Sequence, residues 1–191
     1  MRLMTSVKLK GAPWNCSEWT TVEPSILPKD AAGLIPEKYS VILGSVSDTA
    51  DGVLFHRAVD ALLAYDVFPP QQMRALVCTS NNRVSMGATI VQRIFLGPIG
   101  FEVAVRVVDV FSGEAGSERR SGFTYATLQG HMEKGISSFI VEQKPGGPVS
   151  FSIETRSRPG HWLIRFSGPL ARLIQKRANK KALAHLQAVV R

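Results

Sequence analysis

The second half of the chain alternates apolar and polar residues in short runs, which is typical of half-buried β-strands. Within 149–156, Val149, Phe151 and Ile153 are apolar and the residues between them are polar. Because successive strand side chains point to opposite faces, this pattern predicts one buried face and one solvated face. Strands are predicted at 88–95, 101–111, 122–128, 137–143 and 148–157, with a polar loop between 111 and 122.

The first half of the chain predicts an irregular segment, then a strand and two helices. Four prolines interrupt residues 1–38, so no long element is expected there. A short strand is predicted at 39–43. Between Phe55 and Leu63, apolar residues recur with the spacing of one stripe of an amphipathic helix. The pair Pro69-Pro70 ends this helix and is expected to open a second short one that reaches Leu76.

The end of the chain predicts a long helix that begins near Ser167-Gly168-Pro169. The connections between the predicted strands are too short for crossover helices, so the sheet is expected to be antiparallel. This order of elements predicts an α+β helix-grip fold. In that fold a curved antiparallel sheet wraps around a long C-terminal helix, with two shorter helices near the N-terminal half. The expected division is an irregular segment 1–38 and a single domain 39–191.

Positive charge is concentrated at the C-terminal end of the chain. The formal net charge is +8, and no acidic residue follows Glu154. Basic residues occupy nine later positions: Arg156, Arg158, Arg165, Arg172, Lys176, Arg177, Lys180, Lys181 and Arg191. Such a patch attracts nucleic acid or anionic lipid, or it is a solvated helix face. No nucleic-acid motif accompanies it, so a nucleic acid is not expected, whereas peripheral membrane contact stays an alternative.

Cysteine usage and the absence of long apolar runs predict a cytoplasmic protein. Cys16 and Cys78 lack CxxC spacing, and two reduced thiols are expected, with a structural disulfide as the alternative. No run has the length of a signal peptide or a membrane span. The four histidines show no metal-ligand spacing, so no metal site is expected. No nucleotide-binding loop or nucleophile motif is present, and no cofactor is expected.

Asp109 is the strongest candidate for acid–base chemistry in the sequence. It is the one ionisable residue on the odd-numbered, apolar face of the predicted strand 101–111. A simple hairpin would pair it with Tyr125 on the same side. Desolvation would then raise the carboxyl pKa, and the phenol would orient the carboxyl group. The alternative is that Asp109 caps the end of the strand beside the polar loop.

Three further side chains are candidates for the site, each with a structural alternative. His131, with Glu133 nearby, could shuttle protons, or its ring could bond to the backbone of a turn. Gln92 could present an amide to a ligand carbonyl from an apolar strand face, or it could lie at a sheet edge. Trp162 could form a lid over a pocket, or it could belong to the core.

Several short motifs resemble the DUF1990 (UPF0548) family of uncharacterised bacterial and plant proteins. The resemblance spans residues 40–188. The matching residues are 55–58, 123–131, Gly135, Phe139, 149–151, 157–159, Pro169, Arg172 and Gln175. The resemblance implies kinship with the START and Bet v 1-like group, whose members commonly enclose an apolar pocket. Those proteins bind lipids or other hydrophobic molecules, and some are polyketide cyclases.

Together these observations predict a protein that binds a small hydrophobic molecule in an internal cavity. The expected activity is cofactor-independent acid–base chemistry, such as cyclase-like ring closure or dehydration of a polyketide in natural-product biosynthesis. The catalytic candidates are Asp109, Tyr125 and His131. The expected lining residues are Gln92, Val105, Val107, Phe123, Phe139, Phe151 and Trp162. The alternative function is a non-catalytic carrier or sensor of a lipid-like ligand.

Overall fold

A computed structural model describes residues 6–8, 12–44, 52–96, 99–115, 118–159 and 168–191. The strands are β1 (Ser6–Lys8), β2 (Glu37–Ile42), β3 (Met73–Val77), β4 (Thr89–Leu96), β5 (Ile99–Ala115), β6 (Glu118–Thr127), β7 (Glu133–Gln143) and β8 (Val149–Pro159). The helices are α1 (Ser17–Thr20), α2 (Pro28–Ala31), α3 (Val53–Leu63) and α4 (Gly168–Val190).

The strands form one antiparallel, curved sheet in the order β2-β8-β7-β6-β5-β4-β3. The short β1 pairs with the start of β5, ahead of the stretch of β5 that pairs with β6. Helices α3 and α4 pack on the same side of this sheet. The architecture is the predicted helix-grip fold. No helix among the described residues is long and apolar enough to span a membrane.

Two local predictions about the elements are wrong. The segment after Pro69 makes only one turn, in which the carbonyl of Pro69 accepts from Gln72 and Met73, and then β3 begins. The predicted polar loop between β5 and β6 is largely a continuation of their hairpin, which pairs out to Ala115 and Glu118. Opposite charges on facing residues of such a hairpin stabilise the polar pairing.

The inner face of the sheet, defined here as the face that α3 and α4 cover, carries the main apolar core. The alternation predicted for β8 is confirmed, because Val149, Phe151 and Ile153 are buried there. Helix α3 contributes its predicted stripe to the same core, and α4 contributes one side of its second half. The helical members of this core are Phe55, Ala58, Leu62, Ala182, Leu183, Leu186 and Val190.

The outer face of the sheet is covered by residues 12–34, which include α1 and α2. Trp19 packs against β4 and β5 in a small second core. The guanidinium of Arg106 donates to the carbonyls of Trp19, Thr20 and Val22, at the end of α1. Farther along, Arg156 donates to the carbonyls of Ala32 and Leu34. Arginines on the strands therefore hold a segment that has little secondary structure of its own.

A buried ion pair lies beneath this N-terminal segment. Arg93 and Glu102, on the neighbouring strands β4 and β5, are 2% and 0% exposed, and an Nη2–Oε2 distance of 2.6 Å joins them. The guanidinium also donates to the carbonyls of Ala12 and Pro13 and stacks on the ring of Trp14. Removing one partner of such a pair leaves an uncompensated buried charge.

The two cysteines form a disulfide, so the prediction of reduced thiols is wrong. Cys16 precedes α1 and Cys78 follows β3, with a Cα–Cα distance of 5.8 Å and a sequence separation of 62. The pairing depends on the N-terminal segment crossing the outer face, which no sequence spacing indicates. Because disulfides persist mainly in oxidising compartments, this bond does not support the cytoplasmic location predicted from the sequence.

Loss of the disulfide is expected to lower the free energy of unfolding by about 2–4 kcal/mol, because the bond closes a long loop in the unfolded chain. Urea unfolding of the wild type with and without dithiothreitol measures this difference. The double variant Cys16→Ser/Cys78→Ser serves as the control and should not respond to the reductant. Equal stability of the oxidised and reduced wild type would contradict the expectation.

Glu102→Gln is expected to cost about 3–5 kcal/mol of stability, since it leaves Arg93 charged and buried. The matched control is Glu114→Gln, which removes an exposed carboxylate that faces Arg119. That change should cost less than about 0.5 kcal/mol. Chemical denaturation of both variants makes the comparison, and similar losses in the two would mean that the buried pair is energetically unimportant.

Candidate functional site

A β-bulge in β5 removes Asp109 from the inner face. Val107 pairs with Tyr125, but Asp109 pairs with Thr124, so Val108 is an extra residue in β5. The extra residue reverses the alternation that follows it. Val110 consequently packs against the inner core, whereas Asp109 is exposed. The predicted pairing of Asp109 with Tyr125 in an apolar pocket is therefore wrong, and Asp109 is not a buried acid.

Tyr125 does lie on the inner face, where it begins a row of polar side chains across four strands. Tyr125 of β6 pairs with Ser137 of β7, Ser137 pairs with Thr155 of β8, and Thr155 pairs with Glu37 of β2. We call these four residues the polar row. The hydroxyls of Ser137 and Thr155 are 3.1 Å apart and hydrogen-bonded. The row crosses the sheet at one level, so its polar atoms face the same side.

A second polar group, from outside the row, approaches Tyr125. Gln92 lies on β4, an interior strand, and is 2% exposed. Its amide donates to the hydroxyl of Tyr65, which follows α3, over 2.6 Å. Burial raises the pKa of Tyr125, opposed by hydrogen bonds with Ser137, Gln92 and Tyr65. Burial also raises the pKa of Tyr65 well above its usual range, and Tyr125 adds to this increase. Both phenols therefore keep their protons at neutral pH.

Aromatic rings border the polar row on its apolar side. The rings of Phe123 and Phe139 stack at a centroid distance of 5.1 Å, and Tyr125 lies 5.4 Å from Phe139. Tyr65 and Phe68 pack against the same pair from the segment after α3. Along β6 and β7 the inner face thus changes within two residues from an aromatic surface (Phe123 and Phe139) to a hydroxyl-rich surface (Tyr125 and Ser137).

Glu133 is a carboxyl group on the inner side of β7, whereas the sequence indicated it only as a neighbour of His131 in a turn. Burial raises its pKa, the nearby charge of Glu37 raises it further, and a hydrogen bond from Ser157 opposes both. The charge of Glu133 also contributes to the raised pKa of Tyr125. A carboxyl with a raised pKa beside a neutral phenol is a pairing suited to proton transfer.

His131 lies in the turn before β7, where its ring bonds to the backbone. Its Nδ1 accepts a hydrogen bond from the N–H of Glu133 over 3.0 Å. Burial lowers the pKa of His131 to about 4, against a smaller opposite effect of hydrogen bonding to the Glu133 backbone. The ring is therefore neutral at pH 7. This geometry matches the structural alternative, and a proton shuttle through His131 stays a prediction.

The other predicted lining residues that the structure describes lie where the strand alternation places them. Val105, Val107, Phe123, Phe139 and Phe151 are all buried in the inner core. Trp162 lies outside the described residues. Among the residues that the structure describes, no group of His, Cys, Asp and Glu side chains could hold a metal ion.

Part of the site had a signal in the sequence and part did not. Ser137 and Thr155 continue the alternation of Phe139 and Ile153, so a hydroxyl stands where the pattern calls for an apolar residue. Glu133 was considered only as a turn neighbour of His131, because the predicted strand began four residues too late. Tyr65 lies after α3 with a positive φ of 58°, and nothing in the periodicity indicates that its ring reaches β4.

Comparison with known proteins gives a family match and a match of fold. The family model "Domain of unknown function (DUF1990)" matches residues 25–185. A UPF0548 protein of Deinococcus radiodurans is 41% identical over 58 residues, which are 30% of this chain and 29% of that protein. The chain thus matches less than a third of the length of this curated relative.

Two solved structures resemble this chain at low sequence identity. The hypothetical protein jhp0584 from Helicobacter pylori has a TM-score of 0.51 and 13% identity, covering 86% of this chain and 92% of that one. The Zhui aromatase/cyclase from Streptomyces sp. R1128 has a TM-score of 0.49 and 8% identity, covering 82% and 93%. At these identities the likenesses concern the fold alone.

The low pKa of His131 is expected to make stability depend on pH. The unfolded ring binds a proton near pH 6.5 and the folded ring only near pH 4, so protons favour the unfolded chain between these values. Stability should therefore fall as the pH drops from 6.5 towards 4. His131→Asn, which keeps an acceptor for the turn, should lose less stability between pH 7 and pH 5 in urea unfolding. Parallel losses in both proteins would contradict the assignment.

Proposed function

The chain belongs to the DUF1990 family, and we propose that it binds a small hydrophobic molecule on the inner face, with Tyr125 and Ser137 contacting a polar atom of that molecule. The observation that carries this proposal is the direct junction between the aromatic surface and the polar row. The partly exposed ring of Tyr125, which packs on the buried Phe139, would contact the apolar body of the ligand. Ligand sites generally combine an apolar lining with a few convergent polar groups.

The protonation states on the inner face favour a ligand that carries a carbonyl or phenolic oxygen. Tyr125 is partly exposed, and its raised pKa keeps the phenol neutral, so it offers an O–H donor. Gln92 and Tyr65 hold each other and limit the movement of Tyr125. A donor that neighbouring side chains already orient loses little freedom when it binds an acceptor. An aromatic or polyketide-like molecule combines the two features that this surface matches.

Glu133 extends the proposal from binding to acid–base catalysis. Its carboxylate would remove a proton from the carbon next to a ligand carbonyl, whose oxygen would accept a hydrogen bond from Tyr125. The resulting carbanion would attack a second carbonyl of the same molecule and close a ring. Glu133 would then return its proton to the new alkoxide, and loss of water would complete a dehydration. Because burial raises the pKa of Glu133, its carboxylate is a stronger base than that of an exposed glutamate, which favours the first proton step.

A carrier or sensor function is the second candidate, and the hydroxyl pair of the polar row favours it. Ser137 and Thr155 are neutral and hydrogen-bonded to each other. Such groups can recognise a ligand without taking part in proton transfer. In this case the inner face would hold a lipid-like molecule unchanged, and Glu133 would not be needed.

The binding proposal is tested with 2-naphthol and 2-methylnaphthalene, two probes of one shape that differ in a hydroxyl group. The wild type should bind the naphthol about 3–10-fold more tightly than the methylnaphthalene, which corresponds to the net free energy of one hydrogen bond. Tyr125→Phe should lose most of this preference and keep its affinity for methylnaphthalene. Isothermal titration calorimetry measures the dissociation constants of both probes.

The exposed, off-site variant Asp109→Asn is the control for these titrations and should bind both probes as the wild type does. An unchanged preference in Tyr125→Phe, or no binding of either probe to the wild type, would contradict the proposal. For the catalytic extension, a small molecule that co-purifies with Glu133→Gln but is converted by the wild type would separate an enzyme from a carrier. Mass spectrometry of the bound fraction makes this comparison.

A further inference from the structure

The exposed side of α4 carries four cations within two helical turns. Lys176, Arg177, Lys180 and Lys181 are all exposed, and we call them the basic face. Positions three or four residues apart on a helix project from neighbouring points of its surface, as do Lys176 and Lys180 or Arg177 and Lys181. The four charges are therefore concentrated on one side of the protein.

The core fixes the direction in which the basic face points. Residues of the same helix segment that are buried form the opposite stripe: Asn179, Ala182, Leu183, Leu186 and Val190. His185 bonds to Asp66 over 2.9 Å, and Gln187 donates to the carbonyl of Ile42 over 2.8 Å. The helix is thus attached on its flanks as well as on its buried side, so it cannot turn its cations towards the protein.

Nothing in the described part of the chain neutralises these cations. No ion pair joins any of the four to an acidic side chain there, and the sequence has no acidic residue after Glu154. By contrast, Lys38 on β2 and Arg83 in the segment between β3 and β4 pair with Glu154 and Asp60. The basic face is a concentration of uncompensated positive charge.

The surroundings of the basic face fit a lipid surface better than a nucleic acid. Ala184 and Ala188 continue the exposed stripe beyond Lys180 and Lys181 without any bulky polar group. Ile42, which lies beside Gln187, is 58% exposed. None of the exposed residues of this helix segment is aromatic, whereas single-stranded nucleic acids are usually bound on aromatic platforms.

We propose that the basic face docks the protein on an anionic membrane surface, with Lys176, Arg177, Lys180 and Lys181 over the lipid headgroups and Ile42 at the edge of the contact. Each Lys or Arg near such a surface contributes enough attraction to change the binding constant about fivefold. This docking does not depend on the ligand of the inner face. It would place a protein of this fold at a surface where hydrophobic molecules are concentrated.

Co-sedimentation with vesicles tests the proposal. The wild type should bind phosphatidylcholine vesicles that contain phosphatidylserine and not vesicles of phosphatidylcholine alone, and added salt should weaken the binding. Lys180→Gln/Lys181→Gln should bind about 30-fold more weakly. The control Lys29→Gln/Lys144→Gln removes two exposed cations from other parts of the surface and should bind about as well as the wild type.

Three results would overturn the proposal. One is an absence of binding to the anionic vesicles at low salt. Another is an equal loss of binding in the test variant and the control, which would mean that net charge alone attracts the protein. The third is stronger binding to duplex DNA than to the vesicles at the same salt, lost in Lys180→Gln/Lys181→Gln, which would assign the basic face to nucleic acid. Circular dichroism confirms that each variant is folded.

Discussion

The register of β6, β7, β8 and β2 is the constraint on which the proposed site depends. Because strand side chains alternate between faces, a shift of one residue in any of these pairings would move a member of the polar row to the outer face. The pairings that hold Tyr125, Ser137, Thr155 and Glu37 at one level also place Phe123, Phe139 and Ile153 at the next. The aromatic surface and the polar row are therefore consequences of the same register.

Burial on both sides of the sheet stabilises the strand pairings. On the inner face, α3 and α4 complete the apolar core. On the outer face, the N-terminal segment is held by arginine-to-carbonyl hydrogen bonds, by a small core around Trp19 and by the disulfide. The Arg93–Glu102 pair joins β4 to β5 beneath that segment. A slip of β4 against β5 would leave these two charges without partners, and buried ionic groups can specify a single strand pairing in this way.

The parts of the fold that the sequence predicts are those governed by local periodicity. The alternation in β8 and the apolar stripe of α3 follow directly from their residues. The bulge at Val108 does not, because Val107, Val108 and Val110 are all valines. Apolar side chains would therefore be buried whether the odd-numbered or the even-numbered residues faced the core. The placement of Asp109 was wrong for this reason. The disulfide and the position of Tyr65 depend on contacts between distant parts of the chain, which periodicity does not encode.

In the candidate site, too, local periodicity predicts some residues, whereas others depend on contacts between distant parts of the chain. Gln92, Tyr125, Phe123 and Phe139 were selected from alternation and lie together on the inner face. Glu133 lies beyond the predicted end of its strand, and its pKa is raised by burial and by Glu37 from a strand nearly 100 residues earlier in the sequence. An acid–base group of this kind becomes visible only when the strands are paired.

The three tyrosines of the chain permit a direct test, because Tyr39, Tyr65 and Tyr125 all pack against the inner core. Tyrosine labelled with ¹³C at the ring carbon that bears the hydroxyl gives three resonances, which Tyr→Phe variants assign. Titration with 2-naphthol should shift the resonance of Tyr125 most, because its hydroxyl would gain a new hydrogen-bond partner. Saturable binding of the naphthol that leaves the Tyr125 resonance unchanged would contradict a ligand site at the polar row.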